Sequence, residues 1–267
     1  MKPIFIILFS FLAISCKKEI SIIEPIVEKS SQKNTEKLVS EPKKNTIAII
    51  NNKINIGFYE DFEQKLKLKF DSVPEIEFKK IDNNKLFFKK SDFKKDKSYI
   101  YLEINQKIEK FKVYKNYGSK ESWSGHEFIG FYDKLNLFAL TNSSVSESLG
   151  FSELFLIDKL SGFQYNIISI GDGAVETPIP SPNNKFLVYW HNTEYKHQNS
   201  EIRLLKINQN GKPENLLTEF ASFGTAQFAV EKIIWVSDQS FLLKGYQEIY
   251  DGTSWIKNYC YYKTTFK

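Results

Sequence analysis

Arginine, cysteine, histidine and methionine are all scarce in this 267-residue chain. One arginine, Arg203, stands among 37 basic residues, with two cysteines, three histidines and a single methionine. Phosphate and base recognition rely on the planar guanidinium fork, so a chain with one arginine is not built to read nucleic acid. A long hydrophobic run is also lacking. Residues 4–14 form the longest, broken by Ser10, whereas a spanning helix needs about 20 apolar residues. No G-x-S-x-G or P-loop pattern occurs, which removes the main cues for nucleophile-elbow hydrolysis and nucleotide binding. The segment His126-Glu-Phe-Ile-Gly130 misses the second histidine of H-E-x-x-H and reads as strand. That zinc motif needs a helix to bring both ligands onto one face.

What is present begins with a short export-like start. Lys2 supplies a positive charge, the apolar run follows, and Leu12-Ala-Ile-Ser15 leads into Cys16. Charge, length and small-residue ending fit a signal peptide over residues 1–15. The ending resembles the lipobox of bacterial lipoproteins, in which the cysteine becomes the first residue and carries acyl chains. Ser15 matches the small residue before the cysteine, while Ala13 stands where the family most often has leucine. The resemblance implies palmitate-type acylation at Cys16 and attachment to a membrane of the cell envelope. Lys17, in place of a retaining aspartate, implies the outer rather than the inner membrane under the enteric-type sorting rule. With Cys16 given to lipid, Cys260 has no partner for an intramolecular disulfide.

Residues 17–45 hold no aromatic side chain, many charges of both signs, and Pro25 and Pro42. Such a stretch buries too little apolar surface to offset its ordering entropy. With Cys16 it reads as a lipidated tether over residues 16–45, reaching roughly 30 Å as a flexible chain. From residue 46 the composition changes. Of 41 aromatic residues only Phe5, Phe9 and Phe11 precede it. Residues 46–267 therefore form one domain with a large core. The net charge of +5 comes from lysine, which keeps a β-rich surface soluble and its edges unpaired.

Helical periodicity is hard to find, and short Ile-, Phe-, Tyr- and Val-rich runs alternate with turn signals. These include Asn83-Asn84, Asn105-Gln106, Asn183-Asn184, Asn210-Gly211 and Asp251-Gly252. The pattern predicts an all-β meander. An internal repeat refines it. Glu127, Glu176 and Glu231 each precede by ten residues an apolar strand beginning at Leu137, Phe186 and Phe241. A fainter copy starts at Ile76 and is read as strand. Repeats of this length predict a β-propeller-like fold of four to five antiparallel four-stranded blades, near residues 75–115, 127–169, 176–220 and 231–264. The fourth lacks a clear last strand, which one of the strands in residues 46–71 could supply. The alternative is an irregular β-sandwich or barrel. The stretch Ser181-Pro-Asn-Asn-Lys185 resembles the Ser-Pro-Asp-Gly-Lys of TolB-like and WD40-like propellers, and that resemblance concerns fold alone.

The repeat predicts that Glu127, Glu176 and Glu231 share one place near a channel mouth, with Trp123, His126 and Asp172 on the loops before them. Converging carboxylates repel and call for a cation, so these residues are the candidate ligand site and a Ca²⁺ or Mg²⁺ ion the candidate cofactor. A bland alternative is that each glutamate pairs with a nearby lysine. Two functions follow. One is a lipid-anchored, non-enzymatic envelope module that binds a protein or a polar ligand through a propeller face. The other is a cation-dependent propeller hydrolase or lyase acting on glycans or esters. The anchor has a direct test: Cys16→Ser is expected to abolish metabolic labelling by a palmitate analogue, and labelling that persists refutes it.

Overall fold

A computed structural model describes residues 52–81, 93–115, 123–146, 149–193 and 199–267. Cys16, the signal at 1–15 and the tether at 16–45 lie outside the described residues. No helix among those described is long and apolar enough to cross a membrane.

In chain order the elements are β1 (Lys53–Ile56), α1 (Tyr59–Glu63), β2 (Leu66–Lys67), β3 (Phe70–Ser72), α2 (Glu75–Ile81), β4 (Lys94–Lys95), β5 (Tyr99–Ile104) and β6 (Lys107–Lys112). They continue as β7 (Trp123–Tyr132), β8 (Leu137–Ser146), β9 (Leu149–Asp158), β10 (Gln164–Ile167), β11 (Ile179–Pro180), β12 (Phe186–Asn192), β13 (Ser200–Ile207) and β14 (Leu217–Thr225). The last three are β15 (Ala229–Ser237), β16 (Ser240–Tyr250) and β17 (Trp255–Thr265). The chain is all-β, and the described residues form four mostly antiparallel sheets, none of them closed on itself. Sheet I is β4-β5-β6, sheet II is β7-β8-β9-β10-β1, sheet III is β11-β12-β13-β14-β2, and sheet IV is β15-β16-β17-β3.

The continuous apolar runs follow from sheets covered on both faces, since successive strand residues point to opposite sides. In β8, Leu137 and Ala139 pack toward sheet III, while Phe138 and Leu140 pack toward sheet I. In β12, Leu187 and Tyr189 face sheet II, and Val188 and Trp190 face sheet IV. In sheet IV, Ile233, Phe241 and Leu243 face sheet III, whereas Ile234 and Leu242 meet Phe78 of α2. Each fully buried aliphatic or aromatic side chain contributes about 1.5–3 kcal/mol relative to exposure. The three interfaces between sheets are the core.

The segment before sheet I laces the edges of the other three. β1 pairs in parallel with β10, β2 in parallel with β14, and β3 antiparallel with β17. The fourth strand missing from the last repeat is therefore β3. Phe62 of α1 is buried between sheets II and III, and Leu68 between III and IV. The sole arginine serves this lacing. Arg203, buried in β13, donates from a terminal guanidinium nitrogen to the carbonyl of Gly57 and lies 5.1 Å from the Phe62 ring centre. The N–H of Gly57 donates to Glu219 Oε1 at 2.8 Å. Gly57 has φ +92°, and a Cβ there would lie 2.4 Å from the Tyr189 hydroxyl, so only glycine fits.

One expectation fails. Residues from Ile76 were read as the first strand of the first repeat, but Glu75–Ile81 is helix α2. Pro74 precedes it, Glu75 and Glu77 occupy the first turn, and Lys79 and Lys80 the last. That charge order complements the helix dipole. A Glu75–Lys79 ion pair of 3.0 Å spans one turn, and Phe78 and Ile81 present an apolar face three residues apart. Asn83 and Asn84 lie outside the described residues. Among the described residues sheet I has three strands, with β4 two residues long.

Sheet I reaches sheet II through a close backbone crossing. Tyr114 N–H donates to the His126 carbonyl at 3.0 Å, and a Cβ on Gly125 would sit 2.5 Å from the Tyr114 nitrogen and 2.6 Å from its Cα. Backbone cannot yield as a side-chain end can. Gly125→Ala is expected to destabilise the fold by about 1–3 kcal/mol in chemical denaturation, the usual cost of overpacking. Gly150→Ala, whose nearest contact would be a Val145 methyl at 3.9 Å, should stay within about 0.5 kcal/mol of the parent. Equal midpoints for the two variants would contradict the crossing.

Candidate functional site

The repeat holds at the level of register. Second strands begin at Leu137, Phe186 and Ser240. Glu127 pairs with Thr141, the fourth residue beyond Leu137. Glu176 donates its backbone N–H to Trp190, the fourth beyond Phe186. Glu231 falls in a bulge opposite Lys244 and Gly245, the latter the fourth beyond Phe241.

Their surroundings nevertheless differ. Glu127 is exposed on β7. Glu176, also exposed, lies in the loop before β11, where partial desolvation pushes its carboxyl above the ordinary range. Glu231 accepts a hydrogen bond from Lys244 Nζ in a half-exposed ion pair. Among the described residues no group of three or more His, Cys, Asp and Glu side chains is placed to hold a metal ion. Glu127, Glu176 and Glu231 therefore do not form such a group, and among the described residues Glu231 shows the lysine pairing.

The neighbours chosen with them sit in separate surroundings. The His126 ring packs edge-on to Phe111 and Phe155, with Nδ1 3.2 Å from the Lys112 carbonyl, and burial holds its pKa below the usual value. Asp172 is exposed and its backbone carbonyl accepts from Ser152 N–H at 2.8 Å. Trp123 opens β7, and its side chain lies outside what is described. His191 is buried on β12, its Nδ1 3.3 Å from Ser169 Oγ. Cys260 is free and half-buried in β17, and burial raises its thiol pKa. An inert thiol fits that setting.

The surface that draws attention instead is the far end of sheet IV. β15 pairs with β16 only as far as Tyr246, while β16 and β17 stay paired to Tyr250 and Trp255. The ribbon beyond β15 turns at Asp251, whose Oδ1 accepts the N–H groups of Thr253 and Ser254 at 2.8 and 2.9 Å. Gly252 takes φ +98°. Direct cross-strand partners share a face, so Tyr250 with Trp255, Glu248 with Lys257, and Tyr246 with Tyr259 form one ladder. Ile249 and Ile256 pair on the opposite face.

This ladder is exposed yet ordered. Trp255 is 68% and Tyr250 55% exposed, their rings 5.6 Å apart. Lys257 Nζ lies 3.8 Å from the Tyr246 ring centre, and Lys244 Nζ 3.8 Å from that of Tyr259. Exposed cation–π contacts contribute about 0.5–1 kcal/mol each. An isolated two-stranded ribbon is marginal in water, so these contacts matter to its shape. Below the ladder, α2 covers the same face through Phe78, and Tyr261 donates its hydroxyl to Glu75 Oε1 at 2.8 Å. Burial, with that carboxylate beside it, pushes the Tyr261 pKa up to about 12. Sequence reading passed over the ladder because its aromatics read as one more buried strand pair. The available signal was the length of the two runs around Asp251-Gly252 against the shorter β15.

Glu176 provides a pH test. A carboxyl whose folded pKa is raised favours the folded state when protonated. Stability is then lost as pH rises from the unfolded value, near 4.5, through the folded one. Glu176→Gln should gain thermal stability over the parent at pH 7 and none at pH 3. Identical pH–Tm curves would show that the carboxyl is not desolvated. Comparison of the chain with protein-family models, with curated proteins and with solved structures finds no match.

Proposed function

We propose that this chain is a lipid-anchored, non-enzymatic binding module of the cell envelope, tethered through Cys16 and engaging a partner protein with the exposed ribbon of β16–β17. The anchor rests on the lipobox-like ending at Ser15-Cys16 and on the charged, aromatic-free stretch after it. One observation carries the binding role: Tyr246, Tyr250, Trp255 and Tyr259 form an outward-facing ladder braced by Lys244 and Lys257. Aromatic side chains are enriched at interface cores and dominate their energetics. Side chains already held by ring–ring and cation–π contacts lose less freedom on binding. In this reading the four sheets are blades of an open, propeller-like stack. The repeat register and the face-to-face packing of sheets I to IV support that view.

The test is photocrosslinking in intact cells with a benzophenone amino acid at Tyr250 and, as control, at Lys212 in the exposed turn after β13. The expected result is one discrete envelope-protein adduct from position 250 and not from position 212, weakened several-fold by Trp255→Ala. No discrete adduct, or the same adduct from both positions, would overturn the proposal.

A further inference from the structure

A cleft lies between sheet I and sheet II. β4 pairs only with Ile100 and Tyr101, so on that side β5 has no strand partner beyond Tyr101 among the described residues. The edge instead faces the end of β7 and the start of β8. A cleft of about 550 Å³ opens there, lined by Phe93, Leu102, Ile108, Phe131, Phe138 and Lys159, with Lys94, Tyr101 and Glu103 completing the wall. Small-molecule sites typically measure about 300–1,000 Å³, with mostly apolar walls and a few placed polar groups. The walls are held by ring packing. Phe93 lies 4.3 Å from Phe128, and Phe131 lies 4.8 Å from Phe138, centre to centre.

The polar groups give the cleft a sign. Lys159 is half-buried, with Nζ 5.7 Å from the Phe131 ring centre. Its backbone is fixed from both sides, donating to Asn136 and accepting from Asn105 at 2.8 Å each. Neither Lys159 nor Lys94 has an ion-pair partner among the described residues. Among the residues lining the cleft two lysines, Lys94 and Lys159, outnumber the one carboxylate, Glu103. A half-buried ammonium against aromatic walls is a place where an anion gains, because partial desolvation strengthens the pairing. A cation or a neutral apolar molecule would leave that group uncompensated.

We infer that the cleft between sheets I and II binds a small amphiphilic anion, an apolar tail among Phe93, Leu102, Phe131 and Phe138 with its acidic head at Lys94 and Lys159. A free fatty acid and the acyl chain of an anionic lipid share that chemistry. The site is distant in sequence from the β16–β17 ribbon and does not rest on it.

The experiment uses the full-length protein in lipid nanodiscs with an octanoic acid carrying a diazirine in its tail. Mass-spectrometric mapping is expected to place the label on peptides containing Phe93, Leu102, Phe131 or Phe138. Excess octanoate should compete it away, while octanol and octylammonium should not. Competition by an anionic phospholipid in the disc would identify a lipid as the source, and indifference to it a free acid. Lys94→Gln combined with Lys159→Gln leaves the apolar wall intact and should weaken labelling about tenfold, equivalent to about 1.4 kcal/mol. Leu102→Trp should fill the cleft and abolish it. Label spread over other apolar surfaces, unchanged labelling of the double lysine variant, or equal competition by octylammonium would overturn the inference.

Discussion

A strand that is apolar on both faces cannot lie at a surface, and the second strands of three sheets here are of that kind. Leu137 to Leu140, Leu187 to Trp190 and Phe241 to Leu243 are all buried. Each such sheet demands a layer on either side, and each added sheet brings an outer face of its own to be covered. The chain answers with successive sheets and ends the series in two ways. At sheet IV the helix α2 lays Phe78 over Ile234 and Leu242. At sheet I the strands turn amphipathic: Ile100, Leu102 and Ile104 are buried, while Tyr99, Glu103, Ile108 and Lys110 are exposed. The open surfaces at which we place binding both lie where this layering stops.

Stacked sheets are held mainly by non-directional apolar contact, which fixes separation better than lateral position. The lacing segment supplies what contact alone does not. Within residues 53–72 the chain adds an edge strand to sheets II, III and IV in turn and drops a buried side chain between them, Phe62 and then Leu68. Gly57 is gripped on both backbone polar groups, by Arg203 on its carbonyl and Glu219 on its N–H. A backbone group buried without a partner costs about 1–3 kcal/mol, so this grip selects one placement of the segment. The edge strands also occupy hydrogen-bonding edges that would otherwise pair with other chains.

How much of this was legible depends on whether the cause was local. Turn chemistry was: Asn105, Gln106, Asn184 and Gly252 adopt positive φ where hairpin signals placed them. The two-sided apolar runs were as well, and so was the register that puts three glutamates opposite equivalent positions. Helix α2 was misread because Ile76 and Phe78 alternate like a strand, although Pro74, the charge order and the Phe78–Ile81 spacing argue for a helix. The glutamates failed as a constellation for a different reason. Register is set by the repeat, but environment is set by what stands opposite, which is Thr141 for one, Trp190 for another and Lys244 for the third. Arg203 was read only as a shortage of arginine. Its role is tied to Gly57, 146 residues away, and no local pattern announces such a contact.

The same asymmetry between repeat and environment argues against reading function from the repeated positions. A repeat conserves what each sheet needs to fold, namely its turns, its two-sided strand and its bulge. Binding surfaces arise where one copy departs from the others. Sheet IV departs by length, extending β16 and β17 past β15 into a ribbon with no third strand beside it among the described residues. Sheet I departs at β4, which among the described residues pairs only with Ile100 and Tyr101, and the cleft lies beside Leu102. One departure adds surface that folding does not require, and the other leaves an apolar cleft between two sheets. Extra surface exposes Trp255 and Tyr250 to water, and the cleft sets aromatic walls around a lysine. Each carries a free-energy cost in the unbound protein that a bound partner or ligand would offset.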